Sequence, residues 1–545
     1  MRKPSLFSKF LQRSFKLPDP LTREVAVERD VRIPMRDGAV LLADRWVGAE
    51  GGDRLPTALI RGPYARRGLM AAQLARPLAE RGFQVLLQST RGTFGSDGQF
   101  DPLRNERLDG IDTIEWLCKQ PWFGESVVLV GSSYQGYTQW AMADHAPSQV
   151  KAMIPAMTES TLGTNFLQAD KFGLESVFGW GVLVEGQTRR LAMPRFLLGV
   201  RRRNRAHSVL PLANADQVAL GRRSMIIQSF FNHDVTSPYW SVADHSDRVA
   251  DVRVPASLVS GWFDVFLPGL LRDYSRLRES GTPARLTIGP WSHTSPEAIA
   301  AMLNEAVDFG SAHANNTTPA DRDPVRIYVM GAERWRDLPE WPPHGYSEHP
   351  LYLQPGGRLD DTTSSAPAHD AYRYDPADPT PAVGGARMLP GIKAGRVNNT
   401  GLERRADVLT YTSEPMADDL EVIGEVSAQI WFRSSLPHAD VFVRLCDVAP
   451  DGTSTNVCDG LVGLADADQL QCVAVALTAT AYLFKRGHRV RVQVSSGAFP
   501  QYNRNLGTGE ARATATTMQA ADQRVHHGPD HRSAIMLPAG PAQLA

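Results

Sequence analysis

Apolar positions along the chain change texture twice. In the first stretch, short apolar runs alternate with longer segments of helical periodicity. Val25, Val27, Val31 and Ile33 alternate with polar neighbours, and Val40, Leu41, Leu42 and Trp46 follow after Asp37-Gly38. Two such runs around an Asp-Gly pair predict a β-hairpin. Residues 57–60 and 83–87 read as buried strands, with a helix over 71–81 between them. A helix over 108–119, carrying Ile111, Ile114, Trp116 and Leu117, leads to the next apolar run at 127–130, and 153–156 continues the series. Strands alternating with helices predict an α/β domain with a largely parallel sheet.

From 158 to 245 the pattern becomes helical. Phe166, Phe172, Val177, Phe178 and Trp180 carry it, no clear strand appears, and Arg201-Arg202-Arg203 forms a basic knot. This predicts a helical cap inserted over the carboxyl end of the sheet, with the arginines on a solvated helix face and an anion site as the other reading. Strands at 256–259 and 284–288, around a helix at 267–279, return to the α/β pattern. Beyond about 325, short strand-like runs recur at 325–330, 351–353, 408–412, 426–432, 441–445, 473–477 and 490–494, separated by Pro/Gly/Asp-rich turns. Many short strands with turn signals predict a β-sandwich. The expected division is therefore an α/β domain at 1–157 (with a tail at 1–22), a cap at 158–245, the rest of the α/β domain at 246–322 and an all-β domain at 323–545. More than one domain is what 545 residues require.

Composition narrows the function classes. A net charge of −1 gives no electrostatic basis for nucleic-acid binding. Four cysteines are too few for a disulfide framework. Cys446 and Cys458, on either side of Pro450-Asp451-Gly452, read as reduced thiols, which fits a cytoplasmic protein. The most apolar long window, 254–271, is interrupted by Pro255, Asp264 and Pro268, so no transmembrane segment is expected. The basic N-terminus places Leu6, Phe7, Phe10 and Leu11 on one helical face. It reads as a short docked helix or a frayed tail, with a membrane-surface helix as the other reading.

The candidate chemistry lies where strands stop. The run at 127–130 leads into Gly131-Ser132-Ser133-Tyr134-Gln135-Gly136 and then an amphipathic segment. A strand, a tight glycine-flanked turn with a serine, and a helix would expose Ser133 Oγ above the sheet edge and leave the Tyr134 N–H at a helix N-terminus. The glycine spacing is one residue longer than in G-x-S-x-G, and a purely structural turn is the alternative. Asp264 ends Ser260-Gly261-Trp262-Phe263-Asp264, and His293 ends Gly289-Pro290-Trp291-Ser292-His293. Ser, Asp, His is the α/β-hydrolase chain order. A serine hydroxyl needs a base, here His293, and the base needs an orienting acid, here Asp264. Asp264 stands among apolar neighbours, where an acid needs a partner. Tyr64, in Arg61-Gly62-Pro63-Tyr64, follows a strand and carries a phenol donor, although a lone tyrosine also serves packing. Asp244, His245 and Asp247 follow no strand. The cluster from His526 to His531 fits no zinc spacing, and the segment from Arg504 to Gly509 lacks a phosphate-loop lysine, so neither metal nor cofactor is expected.

Together with Gln88 to Gly92, Met330-Gly331, Trp335-Arg336-Asp337 and Asp378-Pro379-Thr380-Pro381, these motifs resemble the cocaine esterase-like serine hydrolases, relatives of the X-Pro dipeptidyl-peptidases and α-amino acid ester hydrolases. The family's nucleophile turn, G-x-S-Y-x-G, has the glycine spacing found here. The resemblance runs from about residue 25 to the end. It implies an α/β-hydrolase domain with an inserted helical cap and a C-terminal jelly-roll. It assigns Ser133, Asp264 and His293 to a catalytic triad, and the Tyr64 hydroxyl and Tyr134 N–H to an oxyanion hole. Phe266 matches an aromatic of the acyl pocket; Trp180 and Trp240 are cap residues that either line the pocket or pack the core. The expected activity is cleavage of small-molecule acyl esters through an acyl-enzyme. X-Pro dipeptidyl-peptidase or α-amino acid ester hydrolase activity is the alternative within the class, and a non-catalytic jelly-roll binding protein the alternative outside it. The jelly-roll also offers a surface for homo-oligomer formation.

Overall fold

The computed structural model describes residues 6–49, 54–161, 166–167, 171–188, 191–233 and 236–540. Within them, a first sheet has ten strands: β1 (Val25–Pro34), β2 (Val40–Gly48), β3 (Thr57–Gly62), β4 (Gln84–Ser89), β5 (Val127–Ser132), β6 (Val150–Ala156), β7 (Ala256–Phe263), β8 (Ala284–Ser292), β9 (Val325–Val329) and β10 (Arg334–Leu338). Their spatial order is β1-β2-β4-β3-β5-β6-β7-β8-β9-β10. The first two form the expected antiparallel hairpin, with Gly38 at φ 88° in its turn. From β4 to β9 all neighbours run parallel. Every residue of β3, β4 and β7 is buried, as befits strands covered on both faces.

The covering helices are α1 (Leu6–Ser14), α2 (Leu69–Ala79), α3 (Glu106–Leu117) and α4 (Tyr134–Trp140). α1 is docked on the domain: Leu11 is buried and Ser8 Oγ donates to Glu80 at 2.9 Å. The cap contributes α5 (Leu174–Gly186), α6 (Ala192–Leu198), α7 (Val200–His207), α8 (Ala215–Leu220) and α9 (Met225–Asn232), and α10 (Leu267–Glu279) follows β7. Aromatic side chains, among them Phe166, Phe178, Phe230 and Phe231, form the cap's core. Arg201 and Arg202 are solvated as expected, but Arg203 is not. It is buried, its guanidinium lies 3.8 Å over the Phe196 ring, and it donates to the Phe196 carbonyl.

Thirteen strands between Ser347 and Gly540 build the C-terminal β-domain, antiparallel apart from one parallel pairing, Arg358 with Thr412. The expected boundary at 323 falls before two strands, β9 and β10, that pair in the first sheet. β9 pairs in parallel with β8, and β10 returns beside it, so both belong to the first sheet. The cause is local: β9 lies near the sheet's edge and alternates buried and half-buried positions, a pattern indistinguishable from that of a sandwich strand. All four cysteines are free; a bulge sets Cys446 opposite Asn456 and Cys458 opposite Leu445. His526 and His527 end a strand (Ala521–His527). Among the described residues no group of His, Cys, Asp and Glu is placed to hold a metal, and no helix is long and apolar enough to cross a membrane.

The parts are not separate bodies. One apolar core runs from Leu129 and Leu258 of the first sheet to Val422 and Tyr482 of the β-domain. Met330, after β9, exchanges backbone hydrogen bonds with Ala481 and Leu483. Buried Arg387 of the β-domain forms a two-point ion pair with buried Glu175 of α5, and Leu389 packs in the cap's core.

Candidate active site

β5 stays buried through Gly131 and turns sharply into α4. At the turn Ser133 has φ 56° and ψ −127°. A residue with a Cβ rarely adopts that conformation, and it is the strained geometry that thrusts a serine out of a strand-to-helix elbow. The Ser133 N–H donates to the Ala156 carbonyl of β6 at 2.9 Å, which holds the strained residue in place. Both glycines are sites of close approach. A Cβ on Gly131 would come 2.5 Å from Gln135 Cβ, and one on Gly136 2.4 Å from Thr158 Cγ2. Gln135, standing where the shorter motif has its second glycine, is itself buried between Gly131 and Gly62. The close packing against the next strand has moved one residue on, to Gly136.

Asp264 follows β7 and His293 follows β8, both at the carboxyl edge of the sheet, where open α/β sheets place their sites. His293 Nδ1 is 3.0 Å from Asp264 Oδ2, and His293 Nε2 is 3.1 Å from Ser133 Oγ. An ionised carboxylate only accepts, so the imidazole proton sits on Nδ1 and Nε2 is left to accept from the serine hydroxyl. The other carboxylate oxygen, Oδ1, accepts from the Phe266 N–H at 2.7 Å. Asp264 is fully buried.

Tyr64 and Tyr134 flank the serine. The Trp180 indole N–H donates to the Tyr64 hydroxyl at 3.3 Å, and Ser133 lies near the same hydroxyl. Burial raises the Tyr64 pKa above that of an ordinary phenol, outweighing the opposing influence of Trp180 and Ser133, so it stays a donor at neutral pH. Tyr134 is the first residue of α4, and its N–H has no acceptor within the helix. Its side chain points away into a buried network. The phenol donates to Glu106 Oε1 at 2.7 Å and accepts from the Leu103 N–H at 2.8 Å. Glu106 Oε2 in turn accepts from Arg61 at 3.2 Å, and Arg61 donates to Gln88 at 2.7 Å. Burial pushes the Glu106 carboxyl up while Arg61 draws it down. Two motifs that both precede the elbow in sequence, Arg61 to Tyr64 and Gln88 to Gly92, thus meet beneath it.

A cavity opens beside Ser133, walled by Phe166, Val177, Trp180, Phe230, Phe266 and Met388. Phe266 lines the cavity, with its ring 5.4 Å from that of His293. Trp180 also lines the cavity and stacks on Tyr134 at 5.9 Å. Trp240 does not reach it. It is stacked behind Phe230 at 5.1 Å and donates to the His233 carbonyl, a core residue of the cap. His245, which follows no strand, is buried against the Tyr137 hydroxyl at 3.0 Å; burial, with Arg248 adding to it, holds its pKa down to about 4. Met388 and Glu159 are among the lining residues that escape sequence reasoning. Met388 comes from the β-domain, and nothing in its surroundings marks it. Glu159, fully buried, lines the wall just beyond β6. Its position after a strand end was the available signal.

A strand–serine–helix elbow, with an acid and a base following later parallel strands, defines an α/β-hydrolase of the serine class. Residues 37–295 match the X-Pro dipeptidyl-peptidase (S15 family), and residues 316–536 the X-Pro dipeptidyl-peptidase C-terminal non-catalytic domain. Cocaine esterase of Rhodococcus sp. (strain MB1 Bresler) is 32% identical over 94% of this chain and 98% of its own length. The chain belongs to the cocaine esterase-like family of serine hydrolases. An aminopeptidase from a marine-sediment Thaumarchaeota archaeon (TM-score 0.81, 22% identity, 96% of this chain and 98% of that one) and an α-amino acid ester hydrolase (TM-score 0.80, 22% identity, 96% and 97%) have the same fold.

Proposed function

We propose that the protein hydrolyses small acyl esters through an acyl-enzyme on Ser133. The observation that carries this reading is the hydrogen-bonded series Asp264, His293, Ser133 opening onto an apolar cavity. As Ser133 Oγ attacks the ester carbonyl carbon, its proton passes to His293 Nε2, and Asp264 steadies the resulting imidazolium. The carbonyl oxygen, now an oxyanion, accepts from the Tyr64 hydroxyl and the Tyr134 N–H. Collapse expels the alkoxide, which takes the proton from His293. Water then repeats the sequence, with His293 as base, and releases the acid. Aromatic walls around the serine favour a compact apolar acyl group. The four free cysteines support a reducing, cytoplasmic setting.

Tyr64→Phe is expected to lower kcat for an acyl ester by about 10²–10³-fold with KM little changed, because the lost donor acts on the oxyanion and not on the ground-state carbonyl. Steady-state kinetics check this.

A second reading is an α-amino acyl ester, whose ammonium needs a carboxylate in the cavity wall; the acid there, Glu159, turns its Oε2 against Gly269 of α10, which favours the first reading. A panel of simple acyl esters, α-amino acid esters and Xaa-Pro anilides separates the two. The first reading expects simple esters to turn over fastest and Glu159→Gln to spare them. Turnover confined to anilides would sink the ester assignment.

A further inference from the structure

Four large apolar side chains stand exposed within ten residues of the cap: Leu191 at 65%, Leu197 at 44%, Leu198 at 85% and Val200 at 41%. Three of them surround Gly199, where α6 ends and α7 begins, so the junction of the two helices is an apolar apex. Exposed leucines on a folded surface cost free energy unless something covers them. The same stretch is strongly basic. Residues 189–205 contain seven arginines, and no acid lies between Glu185 and Asp216. Arg195, Arg201, Arg202 and Arg205 are exposed, and none is in an ion pair with a described residue. Arg201 and Arg205 are one helical turn apart on α7. The cations sit beside the leucines, in a protein whose overall charge is −1.

We propose that this apex docks on an anionic lipid surface, with the leucines in the acyl boundary and the arginines on the phosphate headgroups. The pairing of features selects this partner. A nucleic-acid backbone would use the arginines and leave the leucines in water, whereas a lipid interface takes both. The placement has a functional consequence. α6 and α7 pack on α5, the helix that carries Val177 and Trp180 of the cavity wall. A docked apex therefore holds the cap against the phase in which apolar esters concentrate.

Co-sedimentation of the full-length protein with phosphatidylcholine vesicles, with and without phosphatidylglycerol, tests this. The wild type is expected to pellet with the anionic vesicles only and to be released by salt. The Arg201→Glu/Arg205→Glu and Leu197→Ser/Leu198→Ser double variants are each expected to weaken binding at least about tenfold, since one basic contact is worth roughly fivefold. Both should hydrolyse a soluble short-chain ester at the wild-type rate, which shows that they are folded. Four results would overturn the proposal: no pelleting of the wild type, binding unchanged in both variants, binding lost instead in Lys9→Glu/Arg13→Glu on α1, or a wild-type dimer that the apex variants turn into a monomer by light scattering. The last would make the patch an interface between copies of the chain.

Discussion

Ser133→Ala is expected to lower kcat for an acyl ester by about 10⁶-fold, to a residual rate sustained by binding and the oxyanion donors alone. Alanine fits the elbow no worse than serine does. The strain at φ 56° is backbone strain, and the Ser133 N–H bond to Ala156 remains. The variant should therefore melt like the wild type while failing to react with a fluorophosphonate that labels the wild type once. Labelling that persists in the variant would place the nucleophile elsewhere.

Asp264→Asn is expected to cost about 10⁴-fold in kcat with the fold retained. The reason lies in the second oxygen. Oδ1 accepts from the Phe266 N–H at 2.7 Å, so an amide at this position must put its carbonyl there. Its NH₂ then faces His293 Nδ1, which has to accept. The imidazole proton moves to Nε2, the atom that should receive the proton of Ser133 Oγ. The base is present, within reach of the nucleophile, and protonated on the wrong nitrogen. Steady-state kinetics and the rate of fluorophosphonate labelling should fall together, while the melting temperature hardly moves. A variant retaining a tenth of wild-type kcat would show that Asp264 does not set the tautomer.

Much of this site was legible because its parts obey local rules. Ser133 is announced by an apolar strand and two glycines, and Asp264 and His293 by the strands they end. Their order along the chain needs no three-dimensional knowledge. The longer glycine spacing became intelligible only in space, where Gln135 fills the gap between Gly131 and Gly62 and the close approach passes to Gly136 and Thr158. The pocket was much less legible. Trp180 and Trp240 look equivalent as cap aromatics in sequence, yet one stacks on Tyr134 and the other hides behind Phe230. Side-chain packing between helices of a cap leaves no periodic trace that separates them. β9 failed for a different reason: alternation reports exposure on one face, not membership of a particular sheet.

The Arg387–Glu175 pair, with Leu389 and Met388 beside it, bears on how such chains can diversify. A segment of the β-domain supplies one wall of the cavity and anchors the helix that supplies another. Recombination that exchanged the β-domain for a relative's would thus redraw the acyl pocket in the same event. Specificity in this architecture is inherited across a domain boundary, and the sequence beyond 323 is as much a part of it as the segment that holds Ser133.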